Sequence, residues 1–269
     1  MVDGVAISGT TRLMGLIGDP IAQVRTPTAI NAIFAKAGAD IACVPLHVPA
    51  ADLATVWQGL KAMPNLIGFG VTLPHKQAAL ALCDSIDPLA ARVGAVNLVR
   101  RERDGSFRGY QFDGVGFVGG LRAKNIPLEG RDAVMVGAGG AAMAIAFALL
   151  EAGIARLTIA NRTPSKAEAL VQAINSAAGR NFAVAGPVVP ERGALVINAT
   201  ALGMAASDPL PFPPDVLDET MTVAEVVAKP EITALLEAAR ARNAQIHSGL
   251  EMIHGQVGLT AEHFMAIWA

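Results

Sequence analysis

Charge is scarce in this chain, and what there is nearly cancels. Only 16% of its 269 residues are Asp, Glu, Lys or Arg, and the formal net charge is −2. No long run of one sign occurs, so the electrostatic footprint of a nucleic-acid or other polyanion partner is missing. The densest basic patch, Arg100, Arg101 and Arg103, is interrupted by Glu102 and Asp104, and Asp104-Gly105 reads as the turn of a solvated hairpin. Cysteine is nearly absent. Cys43 and Cys83 lack metal-ligand spacing and lie in apolar segments, which predicts two buried thiols in a cytoplasmic protein and no disulfide. The five histidines (His47, His75, His247, His254 and His263) form no pair at metal-ligand spacing with a carboxylate, so no metal site is expected. The first residues lack a basic stretch leading into an apolar one, and no signal peptide is expected. Residues 133–150 run for 18 positions without a charge, a length that raises the question of a membrane span. Glycines break that stretch in the middle and much of the rest is alanine. A buried strand, a tight turn and a buried helix account for it better than a span.

What the chain has in quantity is apolar residues, 52% of the total, enough to bury a sizeable core in one large or two moderate domains. They come in alternating strand and helix patterns. Short apolar runs at 13–18, 41–44 and 66–71 predict strands. Between them, Thr26-Pro27 reads as a helix cap followed by Pro at the first helical position. Leu53, Val56, Trp57 and Leu60 fall at helical spacing, and a further helix is predicted around 76–83. Residues 94–100 and 106–111 read as a hairpin. A second alternating block starts near Arg131, with strands predicted at 134–136, 157–160, 195–198 and 222–227. Its helices are predicted at 141–151, from Thr163-Pro164 to about 176, at 232–243, and in the tail through Trp268. Strands separated by helices argue for an α/β protein with mainly parallel sheets.

The strand at 134–136 runs directly into Gly137-x-Gly139-x-x-Ala142, where a helix begins. This is the dinucleotide-binding turn of a Rossmann unit in its required strand–turn–helix setting. The first glycine permits the turn, the second lets the main chain approach a pyrophosphate, and Ala142 allows close helix–strand packing. The N–H groups of Ala138, Gly140 and Ala141 then face the phosphates at a helix N-terminus. After the next strand, where NAD sites carry Asp or Glu for the ribose 2′-hydroxyl, the sequence is Asn161-Arg162-Thr163, with Lys166 following. Two cations and no carboxylate favour NADP, with NAD as the alternative. The loop Asn198-Ala199-Thr200, with Met204 just beyond, follows a strand and is placed to flank the nicotinamide half.

Transfer between a hydroxyl and a carbonyl requires a proton donor and acceptor near the reacting oxygen. Lys76 follows the 66–71 strand and the turn Thr72-Leu73-Pro74, near a strand's carboxyl end, where α/β sheets bind ligands. Asp113 opens Asp113-Gly114-Val115-Gly116 after the hairpin. By spacing alone, the stronger reading of either residue is a surface group or a helix cap, and His75 reads as a cap of the helix that Lys76 opens.

Several segments, in order, resemble the shikimate dehydrogenase family: Gly18-Asp19-Pro20-Ile21-Ala22 with Thr26-Pro27 and Asn31, Gly70-Val71-Thr72-Leu73-Pro74-His75-Lys76, Gly94-Ala95-Val96-Asn97, and Gly109 with Asp113-Gly114-x-Gly116. They continue with the turn at 137–142, Asn161-Arg162-Thr163, Asn198-Ala199-Thr200-x-x-Gly203-Met204, and Gly249-x-x-Met252 with Gln256. The resemblance implies two domains. An α/β substrate domain would comprise 1–105 plus 247–269, and a Rossmann-type, doubly wound NAD(P) domain would comprise 106–246. It implies reversible oxidation of a ring hydroxyl on a shikimate- or quinate-like polyol acid. Lys76 would be the general acid/base and Asp113 its partner, with Thr26, Thr72, Asn97 and Gln256 on the substrate. Gly249 and Met252 would join the cofactor site. The chain also departs from the family pattern. Val24 and Thr26 stand where two serines clasp the substrate carboxylate, and Gly70, Leu98, Gln111-Phe112 and Ala228 replace other usual residues. Each lost hydrogen bond to a charged group is worth roughly 1.5–3 kcal/mol, so the resemblance implies a changed or broadened polyol-acid substrate. A non-catalytic sensor of dinucleotide or ring acid is the competing reading. A lysine-containing folate-type dehydrogenase is a third, which the Asp113 segment fits less well. No nucleic-acid or membrane partner is expected, and a homodimer is compatible with the resemblance.

Overall fold

Each alternating block folds around its own six-stranded sheet. The computed structural model describes residues 7–268; residues 1–6 and 269, the outer ends of the substrate-domain ranges, lie outside the described residues. One unit runs to Phe112 and resumes at Gln256, and the other comprises Asp113–Gly255.

The first unit contains β1 (Arg12–Gly18), α1 (Thr26–Lys36), β2 (Ile41–His47), α2 (Leu53–Lys61), β3 (Leu66–Val71), α3 (Lys76–Leu82), β4 (Ser85–Ile86), α4 (Pro88–Val93), β5 (Leu98–Arg101) and β6 (Phe107–Tyr110). The sheet order is β2-β1-β3-β5-β6-β4. β1 pairs in parallel with β2 and β3, while β3–β5 and β5–β6 are antiparallel. Every residue of β3 is buried, which is why it reads as an unbroken apolar run. Trp57, Phe69 and Phe107 form an edge-to-face triad, with centroids 5.0, 5.8 and 5.4 Å apart, that pins α2 onto the sheet.

Local expectations in this unit need two corrections. Thr26 does not cap α1: it lies inside the helix, Arg25 occupies the cap position, and no side chain caps it. The β5–β6 hairpin is present, with Gly105 at φ +84 in its turn, but it is not uniformly solvated. Arg101 is 7% exposed. Its guanidinium donates to the carbonyls of Leu66, Leu60, Lys61, Met63 and Gly105. Those carbonyls supply the hydrogen bonds that a buried cation needs.

The second unit contains α5 (Asp113–Ala123), β7 (Asp132–Val136), α6 (Gly140–Glu151), β8 (Arg156–Ala160), α7 (Pro164–Ala178), β9 (Ala183–Ala185), β10 (Leu195–Asn198), β11 (Thr222–Glu225), α8 (Ala234–Arg240), β12 (Gln245–His247) and α9 (Gly249–Trp268). Its sheet is wholly parallel in the order β12-β11-β10-β7-β8-β9. That is the doubly wound Rossmann order, with its topological switch point between β7 and β10. The segment 106–110 belongs to the first unit's sheet because β6 pairs with β5, so the chain changes unit after Phe112. The return falls inside α9, between Gly255 and Gln256.

Candidate active site

In the first unit the candidate residues gather at the carboxyl ends of β1, β2 and β3. A closed set of hydrogen bonds holds the turn between β3 and α3. Thr72 N–H donates to the Ile17 carbonyl at 2.9 Å, and Asp19 N–H to the Leu73 carbonyl at 2.9 Å. His75 is 1% exposed. Its Nε2 donates to the Val48 carbonyl at 2.7 Å, and Val48 N–H donates in turn to the Gly18 carbonyl at 3.2 Å. His75 therefore occupies the cap position of α3 without capping it: its ring ties the turn to the end of β2. Lys76, half-buried, is the first residue of α3, and its carbonyl accepts from Val96 N–H at 2.9 Å. Three segments, 17–19, Val48 and Val96, thus fix the lysine's main chain and the turn before it.

Thr72 lies beside Gly18, where a Cβ would collide with the threonine methyl. Asn97 is buried, and its Oδ1 accepts from Phe112 N–H at 2.8 Å, which fixes the orientation of its amide. Its own carbonyl accepts from Val71 N–H, bringing Asn97 next to the lysine turn. Gln111 is also buried and donates to the Ala95 carbonyl at 3.4 Å. Thr26 lies on the first turn of α1, and Gln256 on α9 is half-buried. At the ends of β1 and β2, Asp19 Oδ1 and His47 Nε2 pair at 2.8 Å on the surface.

In the second unit the strand–turn–helix geometry follows the glycine pattern. Gly137 has φ +120 and its N–H donates to the Ala160 carbonyl at 2.8 Å. A Cβ there would lie 2.8 Å from the Ala199 carbonyl oxygen. Gly139, at the N-cap of α6, is different: nothing lies within 4 Å of where its Cβ would be. This open cradle, next to Ala138 and to the N–H groups of Gly140 and Ala141 in the first turn of α6, which a helix leaves without intrahelical partners, fits a pyrophosphate. Ala142 is completely buried. After β8, the Asn161 side chain donates to the Thr163 carbonyl at 2.9 Å, while Arg162, Thr163 and Lys166 are exposed. Two cations on this rim suit a 2′-phosphate. Asp113 opens α5 and is 4% exposed.

Beyond β10, Asn198 is fully buried and organises the loop that follows. Its Oδ1 accepts from Thr200 N–H (3.1 Å) and Oγ1–H (2.6 Å), and its Nδ2 donates to the Leu202 carbonyl at 3.0 Å. Met204, 46% exposed, follows Gly203, which has φ +102 and packs on Thr233. Gly249 has no room for a side chain, since a Cβ would sit 2.5 Å from the Val226 carbonyl. Met252 is buried on α9.

Two functional-looking groups escape the sequence patterns. One is the His75 tether, which needs the tertiary partner Val48 to be seen. The other is Glu225, wholly buried at the end of β11, whose carboxyl burial pushes up to about 7. Its signal in the sequence is a lone carboxylate in the apolar run 221–227. Among the described residues no group of three or more His, Cys, Asp or Glu could hold a metal ion. No helix among them is long and apolar enough to cross a membrane. Both cysteines are free, Cys43 buried and Cys83 partly so.

Comparison with known proteins matches residues 16–99 to the model of the shikimate dehydrogenase substrate binding domain, and residues 121–200 to that of shikimate / quinate 5-dehydrogenase. A shikimate dehydrogenase (NADP(+)) of Rubrobacter xylanophilus is 43% identical over 94% of this chain and 88% of its own length. A crystal structure of a shikimate dehydrogenase in complex with NADP+ superposes with a TM-score of 0.89 at 32% identity, covering 99% of this chain and 94% of that one. A ligand-free 5-ketofructose reductase of Gluconobacter sp. strain CHM43 superposes with a TM-score of 0.84 at 32% identity, covering 96% and 94%.

Proposed function

The chain belongs to the shikimate dehydrogenase family of NAD(P)-dependent dehydrogenases, and on that premise we propose that it interconverts a ring hydroxyl and a ketone on a shikimate-like polyol acid, with NADP as its preferred cofactor. The observation that carries the chemical step is Lys76, whose turn and main chain three segments anchor at the carboxyl end of β3. In the reduction, Lys76 Nζ gives a proton to the alkoxide that develops on the substrate; in the oxidation it takes the hydroxyl proton. Asp113 is its partner carboxylate. Thr72 and Asn97, next to the lysine turn, and Thr26 and Gln256 orient the ring hydroxyls. Bound NADP(H) supplies or accepts the hydride. The 137–142 turn would hold its pyrophosphate, and Arg162 with Lys166 its 2′-phosphate. Met204, Gly249 and Met252 would lie toward the nicotinamide half. We place the enzyme in the cytoplasm; a homodimer would register as a doubled mass in sedimentation.

Lys76→Ala tests the assignment. Turnover should fall by about 10²–10⁴-fold or more while NADPH affinity stays at the wild-type value. Retained turnover refutes the role of Lys76. Steady-state rates with NADPH and NADH test the cofactor reading, which a clear NADH preference would reverse.

A second reading, a polyol substrate other than shikimate, rests on the likeness to the 5-ketofructose reductase together with the departures at Val24, Gly70, Leu98 and Ala228. Rates on shikimate, quinate and a neutral ketose decide between the two. Efficient shikimate oxidation would eliminate the second.

A further inference from the structure

β11 is an apolar strand that ends on a carboxylate. Glu225 has no exposed surface, and it pairs in register with Asn198 on β10, so two buried polar side chains stand side by side at the carboxyl ends of adjacent strands. Glu225 Oε2 accepts from Thr233 Oγ1–H at 3.0 Å. Its Oε1 is buried and has no hydrogen-bond partner among the described residues. An ionised carboxylate in that position would have only the Thr233 hydroxyl and the neighbouring Asn198 amide to steady its charge, which is costly away from water. Burial accordingly pushes its pKa up to about 7, with the Thr233 hydroxyl and the Asn198 amide pulling the other way.

Both polar groups grip the same loop. Asn198 holds Thr200 and Leu202 by the bonds described above. Thr233 carries the grip of Glu225: its Oγ1 also accepts from Leu236 N–H to cap α8, and its side chain is the surface on which Gly203 packs, 3.2 Å from where a Cβ would be. Gly203 has φ +102 and precedes Met204, so its placement sets where that side chain stands.

We propose that Glu225 is a positioning residue for the cofactor: uncharged, it stays buried against Thr233 and keeps the 200–204 loop in the form that receives the nicotinamide half, and charged, it favours forms in which water reaches its buried oxygen and Thr233 and the loop shift, so that its protonation state sets cofactor affinity. The proposal rests on reading this loop as the nicotinamide flank. Other titratable groups on the surrounding elements do not share this pocket. His247 on β12 pairs with Ala224, the neighbour of Glu225, and so lies on the opposite face of the sheet, against Phe117 of α5. Glu237 and Arg240 on α8, and Lys229 and Glu231 on the connection before it, are exposed. Asp208 accepts from the N–H groups of Gly203 and Ala205 within the loop itself.

The test is the NADPH dissociation constant between about pH 6 and about pH 9, by cofactor fluorescence, for wild type, Glu225→Gln, Thr233→Val and Gly139→Ala. Glutamine keeps an acceptor for Thr233 and cannot ionise. Relative to Glu225→Gln, wild-type affinity should fall about five-fold or more as pH rises through neutrality. Taking the ratio cancels the titration of the cofactor's own phosphate. Thr233→Val breaks the link and should bind weakly at every pH with the Glu225-dependent slope gone. Identical pH profiles for wild type and Glu225→Gln overturn the proposal, and so does a Thr233→Val variant with wild-type affinity and slope. Gly139→Ala separates the premise from the inference: if it leaves NADPH affinity intact, the placement of the cofactor on the 137–142 turn, and with it the nicotinamide flank at 200–204, has failed.

Discussion

The two glycines of the pyrophosphate turn should fail in different ways when each is replaced by alanine. At Gly137 the obstacle is the fold. Its φ of +120 is strained for any residue with a Cβ, at a cost of about 1–3 kcal/mol. The new methyl would also lie 2.8 Å from the Ala199 oxygen and 3.0 Å from its carbonyl carbon. That carbonyl cannot easily retreat, because Ala199 N–H is bonded to the Val136 carbonyl at 2.8 Å. Gly137→Ala should therefore destabilise the cofactor-free protein by at least about 2 kcal/mol. At Gly139 the fold offers no obstacle. The residue has φ −90 and ψ −174, and nothing lies within 4 Å of the added methyl. Alanine loses up to about 1 kcal/mol as an N-cap and regains about 0.4–1 kcal/mol by restricting the unfolded chain, so stability should hardly change. What the methyl occupies is the space for the pyrophosphate. Displacing the phosphates from one charge-assisted hydrogen bond costs roughly 1.5–3 kcal/mol, about a ten- to hundred-fold loss in NADPH affinity. Urea denaturation of both cofactor-free variants and an NADPH titration of Gly139→Ala check this. Equal destabilisation by the two substitutions, or normal NADPH binding by Gly139→Ala, would refute the division of labour between the glycines.

His75 should prove to act through its hydrogen bond to Val48. His75→Gln retains a donor and should keep most of the wild-type kcat, whereas His75→Phe should lower kcat more than it raises KM for the substrate and leave NADPH affinity unchanged; equal kcat for the two variants argues that the tether does not matter. Glu225 should also leave a mark on stability. Its carboxyl is raised from the usual 4.5 to about 7 in the folded protein, so between those values the folded state holds a proton that the unfolded state has released. The sign follows: stability is lost as pH rises from about 4.5 to about 7, by up to about 3 kcal/mol, and Glu225→Gln should remove that loss. Denaturation midpoints at about pH 5 and about pH 7.5 that shift equally in the two proteins would contradict it.

Features whose physical cause is local were legible in the sequence. β3 and the first three residues of β10 are continuous apolar runs because central strands are covered on both faces, and their limits can be read residue by residue. The turn at 137–142 is legible for the same reason: its demands are a positive φ and an open cradle, which glycine meets whatever surrounds it. The helix α5 was hidden. Its glycines at 114, 116, 119 and 120 argue against a helix by propensity, yet they are there for packing. A Cβ on Gly114 would strike the Ala144 carbonyl oxygen, and one on Gly120 would lie 2.6 Å from the Glu251 carbonyl oxygen. The short strands β4, β9 and β12, of two or three residues each, hold too little pattern to register.

The polar residues divide along the same line. Arg101 looks like part of a solvated basic turn until the carbonyls of 60–66, far away in the chain, come to meet its guanidinium. Glu225 is the sharper case. Its partner Thr233 is eight residues on and its register neighbour Asn198 is on another strand. Local sequence says only that a carboxylate sits in an apolar strand, an arrangement that costs stability unless something uses it. The Rossmann order supplies a use, because the carboxyl ends of β10 and β11 lie beside the switch point where this fold binds its ligands. A buried acid at that place, bonded on one oxygen to the residue that supports Gly203, is where a fold would concede stability to control the loop that meets its cofactor.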